Sequence, residues 1–222
     1  MNELVPSLKE TIFHPCKDEI GDLTEVFIDS VLDEGLLRDL PVVGTITGLI
    51  KVTKSIIHRN LLKQTLQFIK EFNNGTIDED KLLKYKEMLD NNNDKAEEEE
   101  ELGRVLIILN GTIDLEKSKM LANLFRNYIN EVLSWNEFCE FCEIVRMLQI
   151  NDIKILKNIY SRKLKDTTKM PLYPFNRLYA LGLINTTPKG LYPIDPDGSY
   201  VRTENFVSLS RIGGKFYNTI NL

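Results

Sequence analysis

Cysteine is scarce in this 222-residue chain, and histidine scarcer. The three cysteines are Cys16, Cys139 and Cys142. An odd count, with two of them close together in an apolar pattern, excludes a disulfide framework. A reducing cytoplasm is the compartment that suits such a chain. Cys139 and Cys142 form C-x-x-C, but zinc needs two more ligands, and a redox pair needs a helix N-terminus to lower a thiol pKa. Here they fall within a predicted helix beside Phe138 and Phe141, so they are expected as core thiols. The two histidines, His14 and His58, stand at no metal-ligand spacing. There is no Walker loop, no G-x-S-x-G and no H-E-x-x-H. No catalytic residue, cofactor or metal is therefore assigned, and the expectation is a non-enzymatic protein. A hydrolase would require a polar pocket that no motif announces.

Long apolar runs are also lacking. The longest uninterrupted one, Leu40 to Ile50, has eleven residues, against about 20 for a membrane span. The first apolar stretch is broken by Lys9, Glu10, Lys17, Asp18 and Glu19, with no cleavage-site pattern after it, so no signal peptide is expected.

What the chain does have is a charge asymmetry. Residues 151–222 carry eleven Lys/Arg against five Asp/Glu, whereas residues 1–150 carry 17 against 28. Opposite signs in the two parts imply modules with different partners, or parts that attract each other. The expected division is an N-terminal arm and first helix at 1–35, a helical domain at 36–150 and a smaller module at 151–222.

Apolar spacing predicts helices through most of the first two parts. Residues 1–20 hold two prolines and little periodicity, and are expected as a loosely packed arm. Leu23, Val26, Phe27, Val31 and Leu32 predict an amphipathic helix, which Gly35 can end. Pro41 suits the start of the next. Leu40 to Phe72 is apolar almost every turn, predicting one long helix, or two with a kink near Gly48. Asn73-Asn74-Gly75 stops it, and Asp78 caps a helix through Leu82, Tyr85 and Leu89. Residues 91–101 are a solvated linker and then an acidic helix start. The Glu97–Glu101 run is expected as a solvated face, and Arg104 as a boundary ion pair. Asn110-Gly111 ends this helix and Asp114 caps the next. Ser134 with Glu137 forms a capping box ahead of Phe138, Phe141, Ile144, Val145 and Leu148.

Residues 62–85 echo 118–141 at a spacing of 56: Leu66/Ala122, Phe68/Leu124, Ile69/Phe125, Phe72/Tyr128, Ile77/Leu133, Leu82/Phe138 and Tyr85/Phe141 fall in register. Each copy is helix, short turn, one apolar residue, helix. The expected fold is therefore mainly α, a bundle of antiparallel helix hairpins, followed by a small C-terminal α+β module. The turn at Ile129–Phe138 resembles an EF-hand in outline. It lacks the acidic oxygen cluster calcium requires, so no calcium binding is expected.

In the last part, Asn151 to Lys165 predicts a helix capped by Asn151 or Asp152. A short helix Phe175–Leu181 ends at Gly182, and Leu183-Ile184 begins a strand. Asp195-Pro196-Asp197-Gly198 is a turn between short strands. Ser210 or Ser208 caps a closing helix. The L-G-L-I exit and the V-S-L-S-x-x-G-x-x-F finish resemble a winged helix-turn-helix domain over residues 155–220. That resemblance implies that the helix at 174–181 enters a DNA groove. Its only basic residue is Arg177, and Tyr173, Phe175, Leu178, Tyr179 and Leu181 are not base readers. Arg177, Lys189, Arg202, Arg211 and Lys215 are the candidates for DNA contact in this alternative, a DNA-binding regulator. Packing or partner binding is the plainer use of such a module.

Leu36 to Ile57 has three readings: a core helix or hairpin, a segment lying in a membrane interface, or a span. Gly44 and Gly48 form a G-x-x-x-G pair that permits close helix approach. Lys51, Lys54, His58, Arg59 and Lys63 form a basic set suited to anionic lipid. Val43, Ile46, Leu49, Ile50, Lys51, Lys54 and Arg59 are the candidates for docking a protein partner or a membrane surface. The run P-V-V-G-x-I-x-G-L-I-K-V, the later L-x-F-I-K-E-F, and E-K-S-K-M-L-A-N-L-F-R-N-Y-I-N are similar to a group of uncharacterised bacterial proteins, over residues 36–145. The resemblance implies a helical protein of bacterial or phage origin with a membrane-associated or defence-related role. It transfers no catalytic residue.

Overall fold

The structure, a computed structural model, describes residues 3–13, 20, 23–33, 37, 39–53, 55–91, 95–188 and 205–220. These are mainly helical, with one small two-stranded antiparallel sheet. The chain divides into two compact units, Met1–Arg146 and Met147–Asn221.

The first unit holds α1 (Leu4–Phe13), α2 (Glu25–Asp33), α3 (Pro41–Thr53), α4 (Ile56–Asn74), α5 (Glu79–Asn91), α6 (Lys95–Asn110), α7 (Leu115–Ile129) and α8 (Trp135–Met147), whose last residue opens the second unit. The N-terminal segment corrects an expectation. It contains a helix whose Leu4, Leu8, Thr11 and Ile12 are buried, one apolar stripe at i, i+4 and i+8. Pro6 falls in its first turn, where a missing N–H is tolerated. Helix α1 packs on α3 and α6.

A second correction concerns Leu40–Phe72, which is broken near Ser55 and not at Gly48. Ser55 is extended (φ −81°, ψ 129°) and its Oγ accepts the Ile57 N–H, the geometry of an N-cap. Gly48 is exposed, with nothing within 4 Å of where a Cβ would stand. It serves no close helix approach among the described residues.

Helix α4 packs against α7, α3 and α6, and α5 against α7. Phe125 of α7 is the hub. Its ring centroid lies 6.1 Å from Phe68, 5.9 Å from Phe72, 5.9 Å from Tyr85 and 5.8 Å from Phe138, edge-to-face and tilted contacts of the favourable kind. The two echoed segments are thus helix–turn–helix units whose aromatic positions meet. Their turns also bond each other. Asn130 Oδ1 accepts the Asp78 N–H at 3.0 Å, and its Nδ2 donates to the Thr76 carbonyl at 3.2 Å.

Two charged groups buried in this core are hydrogen-bonded, while the buried Thr65 Oγ1 and Arg104 Nε find no partner among the described residues. Glu101 is buried and accepts the hydroxyls of Tyr85 at 2.8 Å and Tyr128 at 2.7 Å. Buried Arg126 donates to the Glu71 and Phe72 carbonyls and to Asn123 Oδ1. It thereby satisfies carbonyls that the end of α4 leaves open.

The second unit contains α9 (Ile150–Tyr160), α10 (Leu172–Ala180), β1 (Ile184–Pro188), β2 (Asn205–Leu209) and α11 (Arg211–Ile220). The strands pair antiparallel, Ile184 opposite Leu209 and Pro188 opposite Asn205. Helix α9 begins two residues before Asp152, with Gln149 as N-cap. Asp152 is instead the third helical residue, and its carboxylate accepts the Gln149 N–H at 2.7 Å. Helix α10 starts three residues before the expected Phe175.

The L-G-L-I exit and the S-x-x-G-x-x-F finish have a shared physical cause. Gly182 ends α10 with φ +68°, and Leu183 N donates back to Leu178 O at 3.0 Å, a left-handed helix stop that glycine adopts without strain. Ser210 N donates to Leu183 O at 3.0 Å, and Ser210 Oγ donates to Gly182 O at 2.5 Å. The same Oγ accepts the Gly213 N–H at 2.8 Å and caps α11. A Cβ on Gly213 would stand 1.9 Å from the Leu183 carbonyl oxygen. Only glycine lets these two backbones approach so closely. Phe216 follows one turn later, fully buried.

Candidate docking surface

The structure divides Leu36–Ile57 between core and surface. Val42, Val43 and Ile46 are fully buried. Val43 and Ile46 therefore cannot touch a partner while α3 stays in place, which corrects their expected role. Beyond them the apolar side chains turn outward. Leu49 is exposed, Val52 is 85% exposed, Ile56 82%, and Ile57 is also exposed. Ile50 is half-buried and Lys51 exposed, while Lys54 lies outside the described residues.

This corner between α3 and α4 is braced. Thr53 Oγ1 donates to Leu49 O at 2.8 Å and shares a hydrogen bond with His58 Nδ1 at 2.9 Å. Arg59 pairs with Asp29 at 2.6 Å. Asn60 Nδ2 donates to Thr112 O and Gln64 Nε2 to Ile113 O, each at 2.7 Å. Those bonds hold the exposed Ile113 beside the same helix. From Leu40 to Lys70 the sequence has five Lys/Arg and no Asp or Glu. The corner thus sets uncovered aliphatic chains beside the exposed Lys51 and the Arg59–Asp29 pair, on a stretch of sequence without acidic residues.

Val52, Ile56, Ile57 and Ile113 were not among the expected docking residues. A signal was present: Val52 falls off the Val42–Val43–Ile46 stripe, so one helix face cannot bury them all.

Three of the five candidates for DNA contact, Arg177, Arg211 and Lys215, lie among the described residues. Arg177 holds Asp152 with both arms of its guanidinium, Nε to Oδ2 at 2.6 Å and Nη2 to Oδ1 at 3.0 Å. Asp152 is wholly buried. Arg177 thus ties α10 to α9 and neutralises a buried carboxylate. Arg211 is exposed at the start of α11, Lys215 is half-buried on it, and Lys189 and Arg202 lie outside the described residues. The outer face of α10 shows Leu172, Tyr173 and Tyr179.

Cys142 is buried and Cys139 half-buried. Burial pushes both thiols above their ordinary range, which suppresses the reactive thiolate. Among the described residues, no group of His, Cys, Asp and Glu is placed to hold a metal ion, and no helix is long and apolar enough to cross a membrane. Compared with known proteins, the chain matches no family model, no curated protein and no solved structure.

Proposed function

We propose that this is a non-enzymatic interaction protein that docks on an anionic membrane surface through the α3–α4 corner. The observation that carries the reading is the exposure of Val52 and Ile56, 85% and 82%, on a stretch with no acidic residue from Leu40 to Lys70. Aliphatic side chains at a helix corner enter the headgroup–acyl boundary, and neighbouring cations meet anionic lipid. At roughly 1.5 kcal/mol per inserted aliphatic chain, Val52, Ile56 and Ile57 supply roughly 4–5 kcal/mol, a millimolar grip on its own. Lys51 and Lys54 add about 1 kcal/mol each, giving reversible attachment. A defence-related role, implied by the resemblance over residues 36–145, fits a protein that meets a membrane only under some conditions.

In the same reading the second unit is a winged-helix-like module, supported by its order helix, helix, strand, strand, helix. It makes contacts without reading duplex bases, because the one basic side chain of α10 is committed to Asp152.

Sedimentation with vesicles rich in phosphatidylserine tests the docking. The parent chain is expected to bind them and to ignore neutral vesicles. The variant Val52→Glu/Ile56→Glu, altered only at side chains already in solvent, is expected to lose on the order of 100-fold in affinity. Unchanged sedimentation of that variant, or capture of the corner by a protein partner with no vesicle binding, overturns the reading.

A further inference from the structure

The second unit carries a groove that the docking reading does not use. It has a volume of ≈ 570 Å³ and lies between the end of α9, strand β2 and the start of α11, lined among others by Tyr160, Arg162, Leu164, Lys165, Phe206 and Leu209. That volume is in the range of small-ligand clefts, roughly 300–1,000 Å³.

Two aromatic rings stand at it. Tyr160 is 51% exposed and Phe206 50%. Tyr160 is held from one side by Tyr217, with ring centroids 4.5 Å apart, so the ring is fixed while half of it faces solvent. Two cations, Arg162 and Lys165, line the groove with the rings. Lys154, Lys157, Arg162, Lys163, Lys165 and Lys169 are all exposed. The described residues of this unit include nine Lys/Arg and two Asp. Of those acids, Asp152 is buried on Arg177, and Asp166 accepts the N–H and hydroxyl of Thr168. The charged side chains that line the groove, Arg162 and Lys165, are both cations.

Arg162 occupies a left-handed conformation, φ 57°, at the end of α9. Glycine suits that position better, as Gly182 shows at the end of α10. Glu131 adopts the same conformation after α7, φ 58°, so the conformation marks a helix stop, and the cation's place in the groove lining is what bears on binding.

We infer that this groove binds single-stranded nucleic acid, with bases stacking on Tyr160 and Phe206 and phosphates meeting Arg162 and Lys165. Exposed rings interleaved with cations are what sequence-tolerant single-strand binding requires. A duplex hides its base faces, and α10 presents Leu172, Tyr173 and Tyr179 where groove readers would stand. An acidic peptide would satisfy the cations but offer no flat face to the exposed sides of the two rings. The inference is independent of vesicle docking, since every residue in it belongs to the second unit.

Fluorescence anisotropy on the full chain tests it, using a labelled oligothymidylate of about twelve nucleotides, a duplex of equal length, and inorganic polyphosphate. The single strand is expected to bind more tightly than the duplex, and less tightly as salt rises. Tyr160→Ala is expected to weaken it roughly 5- to 100-fold, while Tyr160→Phe, which keeps the ring and its contact, retains it. Arg162→Gly removes a cation at a position where glycine relieves strain, so the fold is kept. Affinity is expected to fall and the log–log salt slope to flatten by about 0.7. Absence of single-strand binding at low salt overturns the inference. So does duplex binding as tight as single-strand binding, or polyphosphate binding as tightly as the oligonucleotide with Tyr160→Ala without effect.

Discussion

The two units both leave apolar groups uncovered, but of different kinds. The large apolar side chains that the first exposes are aliphatic, Leu49, Val52, Ile56, Ile57 and Ile113 among them; the second exposes rings, Tyr160, Tyr173, Tyr179 and Phe206, beside Met147, Leu172 and Ile212. Aliphatic chains have no preferred facing geometry and suit acyl chains. Flat rings gain most against other flat π-systems. Each set has basic neighbours, so both surfaces favour polyanionic counterparts, and the apolar component is what separates a lipid surface from a nucleobase.

The units also differ in how they are held shut. The first bonds its buried Glu101 to two tyrosine hydroxyls and its Arg126 to two backbone carbonyls and Asn123. The second relies on a close backbone approach at Gly213 and on an ion pair that begins at the wholly buried Asp152. The largest expected effect follows from the first of these. Gly213→Ala places a methyl group within 1.9 Å of the Leu183 carbonyl oxygen, and overpacking of that size costs about 3 kcal/mol. Chemical denaturation is expected to show the second unit unfolding first, with the near-ultraviolet signal of the Phe125 cluster intact. A single shared transition breaks the comparison.

Arg177→Met comes next, at about 2–3 kcal/mol, because it strands the Asp152 carboxylate without its counter-charge. Its urea midpoint is expected to fall while that of Arg211→Met, at an exposed site, stays put. Equal effects would mean that the Arg177 fork is ornamental.

The smallest effects run the other way. Gly48→Ala, in an exposed helix position with open space around it, is expected to stabilise α3 by roughly 0.5–1 kcal/mol. Arg162→Gly is expected to stabilise the end of α9 by about 1 kcal/mol. Thermal melts check both, and a loss of stability in either removes the argument from backbone conformation at that site.

Much of the helix punctuation was legible in the sequence because capping is local chemistry. Asp78 accepts the N–H groups of Asp80 and Lys81, and Ser134 and Glu137 bond each other's backbone. Asn130 is legible only as a turn residue. Its bonds to Thr76 and Asp78 cross between two segments that no local window joins. The break at Ser55 was hidden by apolar residues on both sides of it. Which end of α3 meets the core was not legible either, since a periodic stripe fixes a helix face and says nothing of where along its length the cover stops. Arg177 read as a DNA contact because Asp152, its partner 25 residues earlier, is invisible to any motif. The groove at Tyr160 joins α9 to β2 across more than forty residues, and only folding brings those rings and cations together.

The central claim is that the α3–α4 corner, and not the first unit at large, enters the lipid interface. The most direct measurement is the emission of a polarity-sensitive fluorophore attached at Ile56→Cys, in a background with Cys16 and Cys139 replaced by serine. The control carries the same label at Leu83, an exposed apolar position on α5. Anionic vesicles are predicted to shift the label at position 56 to the blue and to leave the label at position 83 unchanged. An equal response at both positions, or none at 56, would contradict the account.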